Sequence, residues 1–444
     1  MGVCGNHGAK RVSRRVAYVN ARLLDPASGL DATGALLTED GAIADFGPRL
    51  FNDGLPDGIE RIDCRGLALA PGLIDMHAHL REPGAEYQET LATASLAAAA
   101  GGITTIVATP NTQPVIDDVA LVEFVARRAR DTARVNVRPM AAATRGLRGS
   151  EMTEMGLLAE AGAVAFTDGD RAVADARLMR RALSYASAFD LLLVQHVEDP
   201  SLAREGVMNE GEVAMRLGLA GIPAAAETIM VERDLRLAAL TGGRWHAAHL
   251  STADTLEPMR AAKRRGLRVS CGVAPVNFAL NETSVGEYRT FAKVSPPLRT
   301  EPDRKAIVAG LADGTIDVIS SGHCPQDTES KRLPFSLAAF GVIGLETMLP
   351  LALELWHNGS VPLLRVLAAM TERPAEILRL PGGRLAKGTP ADLVLLDLEA
   401  PWRIDEKRLH SKAKNSPFHD RPVQGRAERT IVAGRTVYDR SAEA

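Results

Sequence analysis

The stretch LIDMHAH, residues 73–79, decides how the rest of the chain is read. An apolar run that ends in two histidines one residue apart reads as a buried strand whose tip carries chemistry. Side chains alternate along a strand, so His77 and His79 face the same way and can grip one metal ion. Similar short apolar runs, mostly with polar residues at their C-terminal ends, return in TTIVATP, VNVRPMAA, AVAFTD, LLLVQHVED, RWHAAHLS, LRVSCGVAP and DVISSGH. Runs of this kind are buried on both faces in a parallel sheet. Stretches such as EYQETLATASLAAAA, VALVEFVARRARD and DARLMRRALSYASA lie between them, rich in Ala and Leu with charges on one side, as helices that cover such a sheet are. Strand–helix units of this number closing on themselves make an α/β fold, a (β/α)8 TIM-like barrel.

The flanks read differently. Residues 16–66 and 389–439 look like short strands broken by Gly, Asp and Pro turns. Neither could bury a core alone, so they are expected to pair into a small β-sandwich domain built from both chain ends. The expected organisation is 1–66 as the N-terminal part of that sandwich, 67–388 as the barrel and 389–444 as the C-terminal part.

Composition narrows the function. The chain of 444 residues carries a net charge of −3, which points away from nucleic acid and anionic membranes as partners. Lys10, Arg11, Arg14 and Arg15 read as a solvated arm. Four cysteines in so long a chain make no disulfide framework and suit a reducing cytoplasm. No apolar run approaches the ~20 residues of a spanning helix. The start MGVCGN is like a myristoylation signal but has Asn6 where Ser or Thr is wanted, and no signal-peptide core follows the basic arm. Barrels of this size often dimerise, so a homo-oligomer is expected.

Barrel enzymes work at the C-terminal ends of their strands, and the histidines gather there. His196 ends QHVED and His249 ends AHLST, beside the His77–His79 pair. A lone strand histidine is more often a satisfied core residue, but that reading does not account for a pair plus two more at strand ends. Imidazole donors suit Zn²⁺ best, with Mn²⁺, Co²⁺ or Fe²⁺ less favoured. The set could hold one ion, or two if a carboxylate bridged them, and would make a hydroxide available near neutral pH to attack a carbonyl. His246 reads as packing.

The run PGLIDMHAHLREPGAEYQET, followed by GGITTIVATPNTQPVIDD, resembles the larger class of dihydroorotases in the amidohydrolase superfamily. The likeness continues through HVEDP, HLST, PPLRTEPDR, KRLPF, GLETML, ADLVLLDLEAPW and KNSPF, nearly the whole chain. It implies a zinc-dependent barrel that interconverts N-carbamoyl-aspartate and dihydroorotate in pyrimidine biosynthesis. By the same resemblance His77, His79, His196 and His249 would be metal ligands, and Arg81 and Asn111 would bind the substrate carboxylate. A guanidinium fork suits that task.

The pattern breaks at both carboxylates of the family's metal centre. The family's last strand ends Asp-His, where the aspartate is ligand and proton shuttle; this chain has Gly322-His323, and glycine can do neither. The fourth strand reads Phe166-Thr167-Asp168-Gly169-Asp170, with Gly169 aligned on the bridging aspartate. Asp168 is the first candidate to replace it, with Asp170 or Asp327 able to fill in. Ser295 and Gln326 stand where the family has substrate-side Asn and His, and Val276-Asn277 replace a His-His pair. Three readings follow: a dihydroorotase with displaced carboxylates; a catalytically silent homologue that is a structural partner of aspartate transcarbamoylase; and, ranked last, a cyclic amidase of the hydantoinase or allantoinase type. The loop NFALNETSVGEYRTFAKVSPP is long enough to act as a lid.

Overall fold

The structure is a computed structural model that describes residues 14–442. Lys10, Arg11, Cys4 and the MGVCGN start lie outside the described residues. The barrel is built from parallel strands in two runs. Leu73–Ala78, Ile103–Ala108 and Asn136–Pro139 form the first. Ala141–Ala142, Phe166–Thr167, Leu192–Gln195, Arg244–Ala247, Val269–Val273 and Val318–Ile319 form the second. Asn136–Pro139 and Ala141–Ala142 are two halves of the third barrel strand; between them, Met140 N donates to Ala108 O at 2.8 Å. The ring closes where Ala78 bridges His323 in parallel and His79 N donates to His323 O at 2.8 Å.

The first two barrel strands are buried at every position, as a sheet covered on both faces requires. The covering helices start on side-chain caps. Asp118 accepts from Leu121 N at 2.9 Å to begin Val119–Thr132, whose Val122, Val125 and Ala129 face inward. Thr90 and Thr93 form a capping box for Leu91–Ala100, the Ala-rich helix beside the second strand.

The two chain ends meet in one sheet of eight strands. Its spatial order is Arg435–Asp439, Pro422–Val432, Leu393–Arg403, Ala68–Pro71, Arg15–Asp25, Leu30–Glu39 and Ala42–Gly47, with Glu60–Asp63 pairing off Arg15–Asp25. The junction is Ala68–Pro71, antiparallel to Leu393–Arg403 in the register Pro71 to Leu393. Val16, Tyr18, Leu23, Leu36, Leu393 and Ile431 form an apolar core of its own. Sequence placed residues 68–71 inside the barrel; their partners place them in this sheet, and the first barrel strand begins at Leu73. Among the described residues no helix is long and apolar enough to cross a membrane.

Candidate metal centre

Two imidazoles and a carboxylate meet at the C-terminal mouth of the barrel. His77 and His79 come from the end of the first strand, and Asp170 from the turn after the fourth. One possible ligand atom from each lies within 4.8 Å of the others, and no other His, Cys, Asp or Glu group of three does so among the described residues. Thr109 Oγ1 lies 3.0 Å from His79 Nδ1, which leaves Nε2 facing Asp170 Oδ1 at 3.1 Å. Asn111 Nδ2 donates to the other oxygen, Asp170 Oδ2, at 3.0 Å.

His249 and His196 stand on the walls of the same cavity, which encloses about 430 Å³, a volume suited to a small molecule. His249 packs edge-on against His77 at 4.7 Å between ring centroids, with Nε2 3.0 Å from Ser320 Oγ. His196 Nε2 lies 3.1 Å from Ser295 Oγ and 3.7 Å from Glu198 Oε1. Burial and the neighbouring imidazoles push His77 down to about 3, and move His249 the same way. Both are therefore neutral, the form that ligates. Burial opposes charge on His196 too, but Glu198 and Asp170 outweigh it and shift it up.

Each residue singled out in the sequence has a definite place. Asp168, the carboxylate first expected at the centre, is turned away: it accepts from Thr144 N at 2.8 Å and from the Thr144 hydroxyl. The fourth strand stops at Thr167, so strict alternation ends there and the Gly169 turn swings Asp170 to the metal side instead. Asp327 does not line the cavity; it caps the helix Thr328–Arg332, accepting from Ser330 N at 2.9 Å. Asn111 is not on the cavity wall either; its Nδ2 is given to Asp170, and its Oδ1 is buried without a partner among the described residues. Arg81, Ser295 and Gln326 do line it. The stretch after the seventh strand is laid down as short helical turns, pinned by Lys293 Nζ donating to Phe335 O at 2.8 Å and Ser336 O at 3.0 Å.

Gly322 lines the cavity with φ +60°, and a Cβ there would stand 4.0 Å from His249 Nε2 but 2.9 Å from the Cβ of Ala274. The turn is fixed from behind by Asp75, fully buried, which accepts from Ser321 N at 2.9 Å and from the Ser321 hydroxyl. His323 points away from the cavity: its Nδ1 accepts from Gly344 N at 3.2 Å and its Nε2 faces Glu89 at 3.5 Å.

This architecture is close to solved structures of a hydantoinase and a dihydropyrimidinase. The L-hydantoinase (dihydropyrimidinase) of Arthrobacter aurescens superposes with a TM-score of 0.86 at 25% identity, over 96% of both chains. The dihydropyrimidinase of Brevibacillus agri NCHU1002 shares the fold with a TM-score of 0.83 at 21% identity, over 96% of this chain and 95% of that one. A dihydro-orotase-like family model matches residues 66–255, and an amidohydrolase family model matches 230–438. In sequence, the dihydroorotase of Anaplasma phagocytophilum (strain HZ) is 49% identical over 429 residues, 95% of each chain. The chain belongs to the dihydroorotase family. The dihydroorotases of Ehrlichia canis (strain Jake), 47% identical over 95% of each chain, and of Pelobacter propionicus, 46% identical over 95% of this chain and 99% of that one, are similar over the same length.

Dihydroorotases of the amidohydrolase family are metal-dependent, and the residues here fit a divalent cation. The donors are neutral imidazoles and a carboxylate, and His77 Nδ1 is buried without a hydrogen-bond partner. Asp170 is held below the usual carboxylate range: partial desolvation at the cavity mouth works against its charge, though its side chain is half open to solvent, and His79, which faces it, outweighs that. Thr109 behind His79 and Asn111 behind Asp170 supply the outer contacts that orient ligands in such centres. Sequence reasoning passed over Glu198, which lines the cavity of this dihydroorotase family member with Oε2 buried and unpartnered. It follows His196 by two residues, and the same alternation that paired His77 with His79 could have pointed to it.

Proposed function

We propose that this protein is a cytoplasmic zinc-dependent dihydroorotase, opening the cyclic amide of dihydroorotate to N-carbamoyl-aspartate and closing it in the reverse direction, in pyrimidine biosynthesis. The observation that carries the reading is the His77–His79–Asp170 group on the wall of a cavity that also exposes Arg81; the dihydroorotases similar over nearly the whole chain support it. A divalent cation at this group supplies Lewis acidity at the ring carbonyl and a nucleophile competent near neutral pH. Arg81 takes the substrate carboxylate. Thr109 and Asn111 hold His79 and Asp170 in register, and Ser295 and Glu198 fix His196 at the wall. Gln326 contributes through the wall it shares with Arg81. Asp170 takes the place of the bridging carboxylate that Gly169 does not provide. Cys64, Cys271 and Cys324 are free thiols, in keeping with a reducing compartment.

A second reading is favoured by Gly322: the chain keeps the fold, gives up turnover and acts in an assembly with aspartate transcarbamoylase. The two separate cleanly. Zinc-loaded protein given dihydroorotate should produce N-carbamoyl-aspartate, followed by ultraviolet absorbance and chromatography, and the product should not form with Asp170→Asn. No turnover by a metal-loaded, folded parent, together with co-elution with the transcarbamoylase, would overturn the enzyme reading.

A further inference from the structure

The segment that follows Gly322 fastens Arg81. The backbone of Arg81 lies in the left-handed region at φ +61°, a setting uncommon for non-glycine residues. Its side chain is tied at two points: Nε donates to Pro325 O at 3.2 Å, and Nη2 donates to Cys324 Sγ at 3.1 Å. The thiol has its own acceptor in Phe340 O, 3.9 Å away, so the sulfur lone pairs are free to face the guanidinium. Nε–H and the adjacent Nη2–H make up one edge of the planar group. That edge is occupied by Pro325 and Cys324, while the Nη1–Nη2 edge has no further hydrogen-bond partner among the described residues and can receive a carboxylate in bidentate fashion.

The sulfur sits in a space shaped for it. Gly341 has φ +120°, and a Cβ there would stand 2.5 Å from Cys324 Sγ; Gln326 Nε2 lies 3.7 Å away. Burial pushes the thiol up to about 11. It is a neutral acceptor, so it orients the guanidinium without cancelling the charge that a ligand needs. A carboxylate in its place would form an ion pair and compete with the substrate.

We infer that Cys324 is a positioning residue for Arg81, aiming the free edge of the guanidinium at the substrate carboxylate and so making the site select acidic over uncharged cyclic ureides. The inference rests on the dihydroorotase reading above. Its test uses the zinc-loaded full chain, with calorimetric binding of orotate, which carries the carboxylate, and uracil, which has the same ring without it. Cys324→Ala should weaken orotate about tenfold, the scale of one hydrogen bond to a charged group, and leave uracil within about twofold. Cys324→Ser, which restores an acceptor, should recover most of the loss, and matched melting curves for both variants exclude general unfolding. Orotate binding unchanged in Cys324→Ala, or orotate and uracil weakened alike, overturns the inference while leaving the dihydroorotase reading intact. A parent that neither binds orotate nor turns over dihydroorotate overturns both.

Discussion

Replacing Gly322 by alanine adds one carbon at a constrained point of the cavity wall. A φ of +60° costs an L-residue roughly 1–2 kcal/mol. The added Cβ would lie 2.9 Å from that of Ala274, and overpacking of that kind costs roughly 1–3 kcal/mol. The expected destabilisation is therefore roughly 2–5 kcal/mol in total. Only the second part depends on Ala274. In an Ala274→Gly background the same substitution should cost roughly 1–2 kcal/mol, leaving a coupling of about 1–3 kcal/mol in the double-mutant cycle. Urea unfolding followed by tryptophan fluorescence measures it, with the fully buried Trp245 as reporter. Zero coupling, or a Gly322→Ala protein as stable as the parent, would refute the reasoning. The same geometry governs Gly322→Asp: its carboxylate would start from a Cβ 4.0 Å from His249 Nε2 but carry the same strain. Any gain in rate, at most the roughly 10²–10⁴-fold of an added acid–base group, should be larger when Ala274 is also glycine.

Two further outcomes follow from particular contacts. Thr109→Val removes the hydroxyl 3.0 Å from His79 Nδ1 and should weaken zinc binding roughly 10–100-fold; competition with a chelator reads this, and an unchanged Kd would contradict the assignment of His79 as a ligand. Asp234 is fully buried with Oδ2 unpartnered, and burial pushes its carboxyl up to about 6 despite Arg233 beside it. A raised folded pKa means the folded state binds the extra proton, so this contribution to stability is complete below about pH 4 and is lost as pH rises through 6. Its size is at most about 3 kcal/mol, and Asp234→Asn should flatten the stability profile over that window. Parallel curves for parent and variant would show that the group does not titrate in this way.

The parts of the fold that were legible in the sequence are those governed by a simple period. Strands buried on both faces write themselves as unbroken apolar runs, and ITTIVA and LLVQ could be read without help. His77 and His79 were legible because they stand two residues apart at the tip of Leu73–Ala78, and both reach the same ligand group even though the pairing of that strand is irregular after Asp75. Alternation fails where a strand is only two residues long. Alternation would put Asp168 and Asp170 on one side, but the strand Phe166–Thr167 ends before both, and the turn through Gly169 delivers Asp170 alone. The placement of Asn111 was illegible for a related reason: its amide is claimed by Asp170, 59 residues away, and no local pattern records a contact between turns. Asp327 was suggested by nearness in sequence, but an aspartate before a short helix is better used on that helix's free N–H groups, and Ser330 N takes it.

The pairing of Ala68–Pro71 with Leu393–Leu396 also bears on how a nascent chain matures. Ala68–Pro71 runs directly into the strand that carries His77 and His79, and one of its edges stays bare until residues beyond Leu393 have left the ribosome. The eighth barrel strand, which bridges Ala78 through His323, is likewise synthesised late. The histidine pair, made early, thus waits on both sides for distant sequence, so metal loading should be a post-translational event that truncation past Leu393 prevents even though every ligand is present.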